Sequence, residues 1–162
     1  MNVPVKYVKL FLSKKDKKKQ KKQLIKSRKA YKKGKYIYRL PIKSFKSKKS
    51  NHILNAEKIY KIKNLSVNKN LSKKTGCSIK ALNKIVKKGQ GAYYSSGSRP
   101  NQTAHSWGIA RLASSISSGK AAAVDYNILK EGCNKNSKAL KLAKLARKNH
   151  GYGTRKVKKI TL

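Results

Sequence analysis

Apolar residues recur at helical spacing mainly in the second half of the chain, where they predict four short helices. Ile79, Leu82 and Val86, with Ile85 beside them, mark the first, which Gly89 and Gly91 are expected to end. Pro100 stands where a first helical turn tolerates it. Ile109, Leu112, Ala113 and Ile116 then form an i, i+3, i+4, i+7 stripe that closes at Gly119. Ala121, Val124 and Ile128 predict a third helix stopped at Gly132. The fourth follows Ser137, with Ala139, Leu142, Ala143 and Ala146 on one face and Lys138, Lys141, Lys144 and Lys148 on another. Together they predict a small helical domain over residues 71–150 with a modest core, followed by a basic tail over 151–162.

Residues 1–70 read differently. Between residues 13 and 50 lysine dominates and Asp16 is the only acid. Runs such as Lys17-Lys18-Lys19 and Lys21-Lys22 cannot bury enough apolar surface to offset the cost of ordering the backbone. A basic arm and linker with short extended or helical pieces is therefore expected, ordered by a partner. Residues 35–42 alternate as a short extended segment does. Tyr31, Tyr36, Tyr38, Leu40 and Phe45 look like spaced anchors, for pockets on a partner protein or for bases; the alternative is that they fold back onto the second half. His52 to Val67 reads as a short helix or linker around Ile53, Leu54, Ile59 and Tyr60. The expected fold class is thus mainly α: a bundle of about four short helices with a long, extended basic N-terminal arm. Leu71 to Lys88 has the outline of a helix-turn-helix, with a Thr75-Gly76 turn and Ser78 as a cap, although plain packing of a helical hairpin is the favoured reading.

Charge changes the picture most. The 162 residues hold 44 Lys+Arg against 4 Asp+Glu, a formal net charge of +40. Such a chain repels itself in solution and favours a surface of opposite sign, so nucleic acid, an anionic membrane or an acidic protein is implied as partner. Solubility needs a net charge of only about 2 to 8 in a small domain. Lysine far outnumbers arginine, which favours phosphate contact over base-edge readout. The expected contact residues are Lys17, Lys18, Lys19, Lys21, Lys22, Lys32 and Lys33 in the arm. In the hairpin they are Lys80, Asn83, Lys84, Lys87 and Lys88. Arg99 in the Gly- and Ser-rich stretch, and Lys141 and Lys144 in the fourth helix, complete the set.

Catalysis is poorly supported by the inventory. Asp16, Glu57, Asp125 and Glu131 include no plausible close pair for acid/base work. His105 with Ser95, Ser96 or Ser106 has only Asp125 as a credible orienting acid, and Asp125 reads better as a counter-ion for Arg111 or Lys120. No enzyme activity, small-molecule substrate, cofactor or metal site is expected. Cys77 and Cys133 lack zinc spacing; such sparse usage makes reduced thiols the default and a bridge the less favoured reading. Residues 87–107, KKGQGAYYSSGSRPNQTAHSW, read as a structural loop fixed by Tyr93, Tyr94 and Trp107, with an oxyanion cradle as the sharper alternative. No run of about 18 apolar residues exists to cross a membrane, and no secretion signal is recognisable.

The block GQGAYYSSGSRPNQTAHSWGIARLASS, with looser likeness in KKDKKKQKK, SRKAYKKGKY and KSFKSKKS, resembles a small uncharacterised lysine-rich family of large DNA viruses of algae and protists, with related blocks in marine phages. Ser117-Ser118-Gly119-Lys120 stands where those proteins tend to have Thr-Gly-Gly-Lys. The family carries no catalytic assignment. The resemblance implies a virion setting: a minor capsid or internal structural protein at the capsid interior, bridging capsid proteins to genome or membrane, and present in host cytoplasm or nucleus during assembly. The alternative is a free nucleic-acid-binding protein, chromatin-like or regulatory.

Overall fold

In the computed structural model, which describes residues 1–153 and 157–162, Ser13 opens a helix where an arm was expected. Its side chain accepts from the Asp16 N–H at 3.2 Å, an N-cap that starts α1 (Lys14–Tyr31). Helix α1 buries Asp16, Gln20, Leu24 and Ser27, a stripe with helical period but only one apolar member. Each polar member is satisfied: Asp16 accepts from Ser44 N (2.8 Å), Gln20 donates to the Tyr7 carbonyl (3.1 Å), and Ser27 accepts from Arg39 (3.0 Å). Buried polar groups matched in this way escape the desolvation cost of unpaired ones. The long extended arm is therefore corrected to a helix docked on its own chain.

The strands β1 (Asn2–Pro4) and β2 (Lys159–Thr161) pair antiparallel, Asn2 opposite Thr161 and Val3 opposite Ile160. A 3₁₀ turn, Val5–Tyr7, follows β1. Val3, Tyr7 and Val8 pack with Leu24, Trp107 and Ile160 in one small apolar cluster. The expected basic tail thus contains a strand; Thr154, Arg155 and Lys156 within it lie outside the described residues.

Two compact units account for the chain. One comprises Met1–Lys48, Gln90–Trp107 and Lys156–Leu162; the other comprises Lys49–Gly89 and Gly108–Arg155. Both are discontinuous in sequence, whereas the expected divisions at residues 70 and 150 are sequential.

The remaining helices are α2 (Asn51–Tyr60), α3 (Lys69–Thr75), α4 (Ile79–Ser95), α5 (Ala104–Ile116), α6 (Lys120–Val124), α7 (Tyr126–Gly132) and α8 (Lys138–His150). Eight α-helices among the described residues replace the expected four. Ser50, Asn68 and Ser137 cap α2, α3 and α8 by accepting from His52 N, Leu71 N and Leu140 N. The expected third helix breaks at Asp125, whose backbone (φ −94°, ψ 14°) leaves helical geometry. Helix α5 starts at Ala104 and not at Pro100. Thr103 and Ser106 form a reciprocal capping box there, Ser106 N donating to Thr103 Oγ1 (3.0 Å) and Thr103 N to Ser106 Oγ (2.9 Å). In the second unit, Leu71, Leu82, Ile85, Leu112, Ile116 and Leu129 meet an alanine-rich layer of Ala122, Ala123, Ala139, Ala143 and Ala146, all fully or almost fully buried. Small side chains let α6 and α8 approach closely.

Gly89 does not end α4; the helix runs on to Ser95, so the expected Gly89–Trp107 loop shrinks to residues 96–103. A Cβ on Gly89 would lie 2.7 Å from the Gly108 Cα, so the glycine permits a close helix crossing, whereas one on Gly91 would meet nothing within 4 Å. Opposite outcomes are expected in urea denaturation. Gly89→Ala should lose about 1–2 kcal/mol despite its better helix propensity. Gly91→Ala should gain about 0.5–1 kcal/mol.

Candidate polyanion-binding surface

Helical spacing puts Lys19, Lys22 and Lys26 on one side of α1, at i, i+3 and i+7. Against that side lies residues 37–40, where burial alternates: Ile37 and Arg39 are partly covered, while Tyr38 and Leu40 are 71% and 65% exposed. Gln23 clamps this segment to the helix. Its Nε2 donates to the Leu40 carbonyl (3.1 Å) and its Oε1 accepts from Leu40 N. Lys19 Nζ adds a bond to the Pro41 carbonyl (2.9 Å). Between helix and segment is a mainly apolar groove of about 240 Å³, lined by the three lysines, Gln23 and residues 37–40.

Arg39 anchors the segment from beneath. Its guanidinium donates to Ser27 Oγ (3.0 Å), the Tyr93 carbonyl (3.0 Å) and Ser98 Oγ (2.8 Å), and stacks 3.7 Å from the Tyr93 ring centroid. All these acceptors are neutral. Burial pulls its pKa below the usual arginine value, partly offset by neighbouring tyrosines, yet an arginine stays protonated in proteins. The positive charge is therefore retained beside the groove.

Three of the five expected anchors gather on one ring. Tyr31 stacks on Tyr94 (6.3 Å), and Tyr36 and Tyr38 meet it edge-on at 5.0 and 6.3 Å. Burial, followed by a hydrogen bond with Tyr38 that favours the protonated phenol, pushes Tyr94 up to about 12. These three rings pack on their own chain, yet Tyr36 stays 65% exposed. Phe45 stacks on Phe11, itself exposed (6.1 Å).

The expected contact residues divide between the units. In α1, Lys18 and Lys22 are exposed, Lys17 and Lys19 are half-buried, and Lys21 donates to the Thr161 carbonyl (3.0 Å). Lys32 and Lys33 are exposed just past Tyr31, and Arg99 is exposed in the 96–103 loop. In the second unit Lys80, Asn83, Lys84 and Lys87 form an exposed face of α4, and Lys141 and Lys144 one of α8. Lys88 is exposed too but is committed to Asp125 (2.9 Å). Lys26, Gln23 and Arg39 were missed in the sequence. The i, i+3, i+7 spacing of Lys19, Lys22 and Lys26 is visible there once the segment is taken as a helix.

Asp125 is a structural counter-ion. Arg111 Nε donates to Oδ2 (2.9 Å), Arg111 NH2 and Lys88 Nζ to Oδ1 (2.8 and 2.9 Å), and Ser115 Oγ to Oδ2 (3.0 Å). Four donors fill the carboxylate's acceptor positions, leaving none to orient an imidazole. The expected Arg111 partnership holds, with Lys88 in the place suggested for Lys120. Among the described residues, no group of three His, Cys, Asp or Glu side chains is placed to hold a metal ion.

The sequence model of a family of unknown function, DUF5824, matches residues 4–138. The chain belongs to this family. Neither a curated protein nor a solved structure matches it. The DUF5824 match takes in α1, the groove segment and α4, and stops at the first residue of α8.

Proposed function

We propose that this DUF5824 protein is a non-enzymatic, polyanion-binding structural protein that contacts nucleic acid phosphates, with a virus particle as its setting. One observation carries the reading: folding engages three of the four acids, leaving Glu131 exposed, and keeps most of the lysines outside. Asp16 is taken by Ser44, Glu57 by Lys49 (2.7 Å) and Leu65 N, and Asp125 by Arg111 and Lys88. With 4 acids against 44 Lys+Arg, most of the positive charge has no counter-charge within the chain. An external polyanion relieves that self-repulsion. The likeness to lysine-rich proteins of large DNA viruses supports a place between capsid proteins and genome. No helix of the described residues is long and apolar enough to cross a membrane, so contact with an anionic membrane would be peripheral.

Fluorescence anisotropy against DNA at increasing salt tests the reading. Log affinity is expected to fall linearly with log salt, with a slope of roughly −0.9 per neutralised phosphate on duplex and −0.7 on single strands. An affinity indifferent to salt would count against phosphate contact. Mass spectrometry of purified particles tests the setting, which fails if the protein occurs only in infected cells.

A second reading, a free nucleic-acid-binding protein, is favoured by the exposed face of α4. Lys80, Asn83, Lys84 and Lys87 follow the left-handed Gly76 turn on successive helical turns. That reading requires a sequence preference that Asn83→Ala or Lys84→Ala abolishes.

A further inference from the structure

The groove of the first unit combines cations with an exposed aromatic ring in a mainly apolar cleft; Tyr152, just past α8, is exposed as well, but the Arg147 guanidinium lies over its ring at 4.8 Å. Lysine ammonium groups alone serve any polyanion, duplex or single-stranded, nucleic acid or not. Among polyanions, an aromatic face favours one with flat unpaired rings, because paired and stacked bases hide theirs. Tyr38 is 71% exposed in a chain whose surplus charge already ensures solubility, so its exposure is not needed for that purpose.

We infer that the groove between α1 and residues 37–40 binds a single-stranded polynucleotide, its bases stacking on Tyr38 and its phosphates meeting Lys22 and Lys26. The inference rests on the polyanion reading above and specifies the ligand for this one site.

Three features support it. Lys22 to Lys26 rises about 6 Å along α1, so the two cations are set along the groove and not at one point. Lys22 and Lys26 are exposed, whereas Lys19 is engaged with the Pro41 carbonyl and acts on the groove wall. The wall itself is pre-organised: Gln23 fixes Leu40 through both main-chain groups, Arg39 holds the segment from below, and Tyr94 meets the Tyr38 ring at 6.3 Å. A ring already held in place loses little freedom on binding. The mainly apolar lining, with lysine stems beside Leu40, accepts a base face while the ammonium groups remain free for phosphate.

The experiment compares three labelled probes by anisotropy with the full chain: a short oligothymidylate, an abasic deoxyribose-phosphate oligomer of the same length, and a duplex of that length. The oligothymidylate is expected to bind tightest. Tyr38→Ala should weaken it about 5- to 150-fold, with little change on the abasic probe. The Lys22→Gln/Lys26→Gln double variant should weaken both. Tyr38→Trp should keep the affinity, and its added fluorescence should be quenched by the oligothymidylate alone, a signal independent of any folding defect in the alanine variant. Equal affinity for oligothymidylate and abasic oligomer, with Tyr38→Ala without effect, would overturn the inference and leave the polyanion reading standing. Preference for the duplex, or displacement of oligothymidylate by anionic phosphatidylserine vesicles at lower phosphate concentration, would overturn it as well. Failure to bind any of the three probes would remove both the inference and the polyanion reading.

Discussion

Asp125→Asn is expected to destabilise the protein by about 3–5 kcal/mol, the cost typical of breaking a buried ion pair by removing one partner. The Asp125 side chain is fully buried, and Arg111 is 22% exposed at its side chain. Removing the carboxylate charge leaves Arg111 partly buried beside a neutral amide that cannot accept from both of its nitrogens and from Ser115. Lys88 is nearly half exposed and regains water when released, so Lys88→Ala should cost less than about 1 kcal/mol. Urea midpoints of the two variants measure the difference; near-equal midpoints would show that the network is not centred on Asp125.

The same group gives a pH dependence of definite sign. Burial opposes the charged form of Asp125, but hydrogen bonds and charge from Arg111 and Lys88 outweigh it and hold the carboxyl below its ordinary value. A folded value below the unfolded one means the contribution is fully present above an unfolded value of about 3.9 and is lost as pH falls through the folded value. Asp16 and Glu57 are also lowered, chiefly by hydrogen bonds from Ser44 and Lys49 respectively, and act in the same direction. Stability should therefore decline on the acid side of pH 4, and the decline should be shallower in Asp125→Asn.

Opening the Cys77–Cys133 bridge is the second large effect, up to about 4 kcal/mol from loop closure for a sequence separation of 56. The expectation of reduced thiols is corrected here, and the reason is backbone pairing. Cys77 and Cys133 face each other in an isolated antiparallel bridge, flanked by Ser78 N donating to the Gly132 carbonyl and Asn134 N to the Gly76 carbonyl, both 2.8 Å. Gly76 and Gly132, next to the two cysteines, are closely packed on Ser137 and Ala81, which a Cβ on either would approach to 2.5 Å or less. Urea denaturation with and without reductant, with thiol alkylation followed by mass, should show the midpoint fall as two thiols appear. Two alkylated cysteines without reductant would refute the bridge.

Helices α5 and α8 were legible because their burial is apolar and periodic: the Ile109–Leu112–Ala113–Ile116 stripe is buried, and of the expected Ala139–Leu142–Ala143–Ala146 face the three alanines are buried, Leu142 is half-buried and Leu140 is buried beside them. Helix α1 was not, because three of its four buried positions are polar and their partners, Ser44, Tyr7 and Arg39, come from distant segments. The two α4 glycines carried opposite meanings that sequence alone could not separate; Gly108 makes Gly89 a packing residue, and open space makes Gly91 a tolerated one. For the candidate site, the lysines and Tyr38 were legible individually. Their meeting in one groove required Gln23 to bond with Leu40, 17 residues away.

By itself, the sequence determined the excess of positive charge, the mainly helical character and the apolar faces of the later helices, since each follows from composition or local period. The tertiary structure alone decided that the lysine-rich segment is a docked helix, that the two cysteines meet, and that cations and an exposed tyrosine share one groove. Those outcomes depend on polar side chains and backbone groups finding partners far along the chain, and no local pattern encodes such pairings.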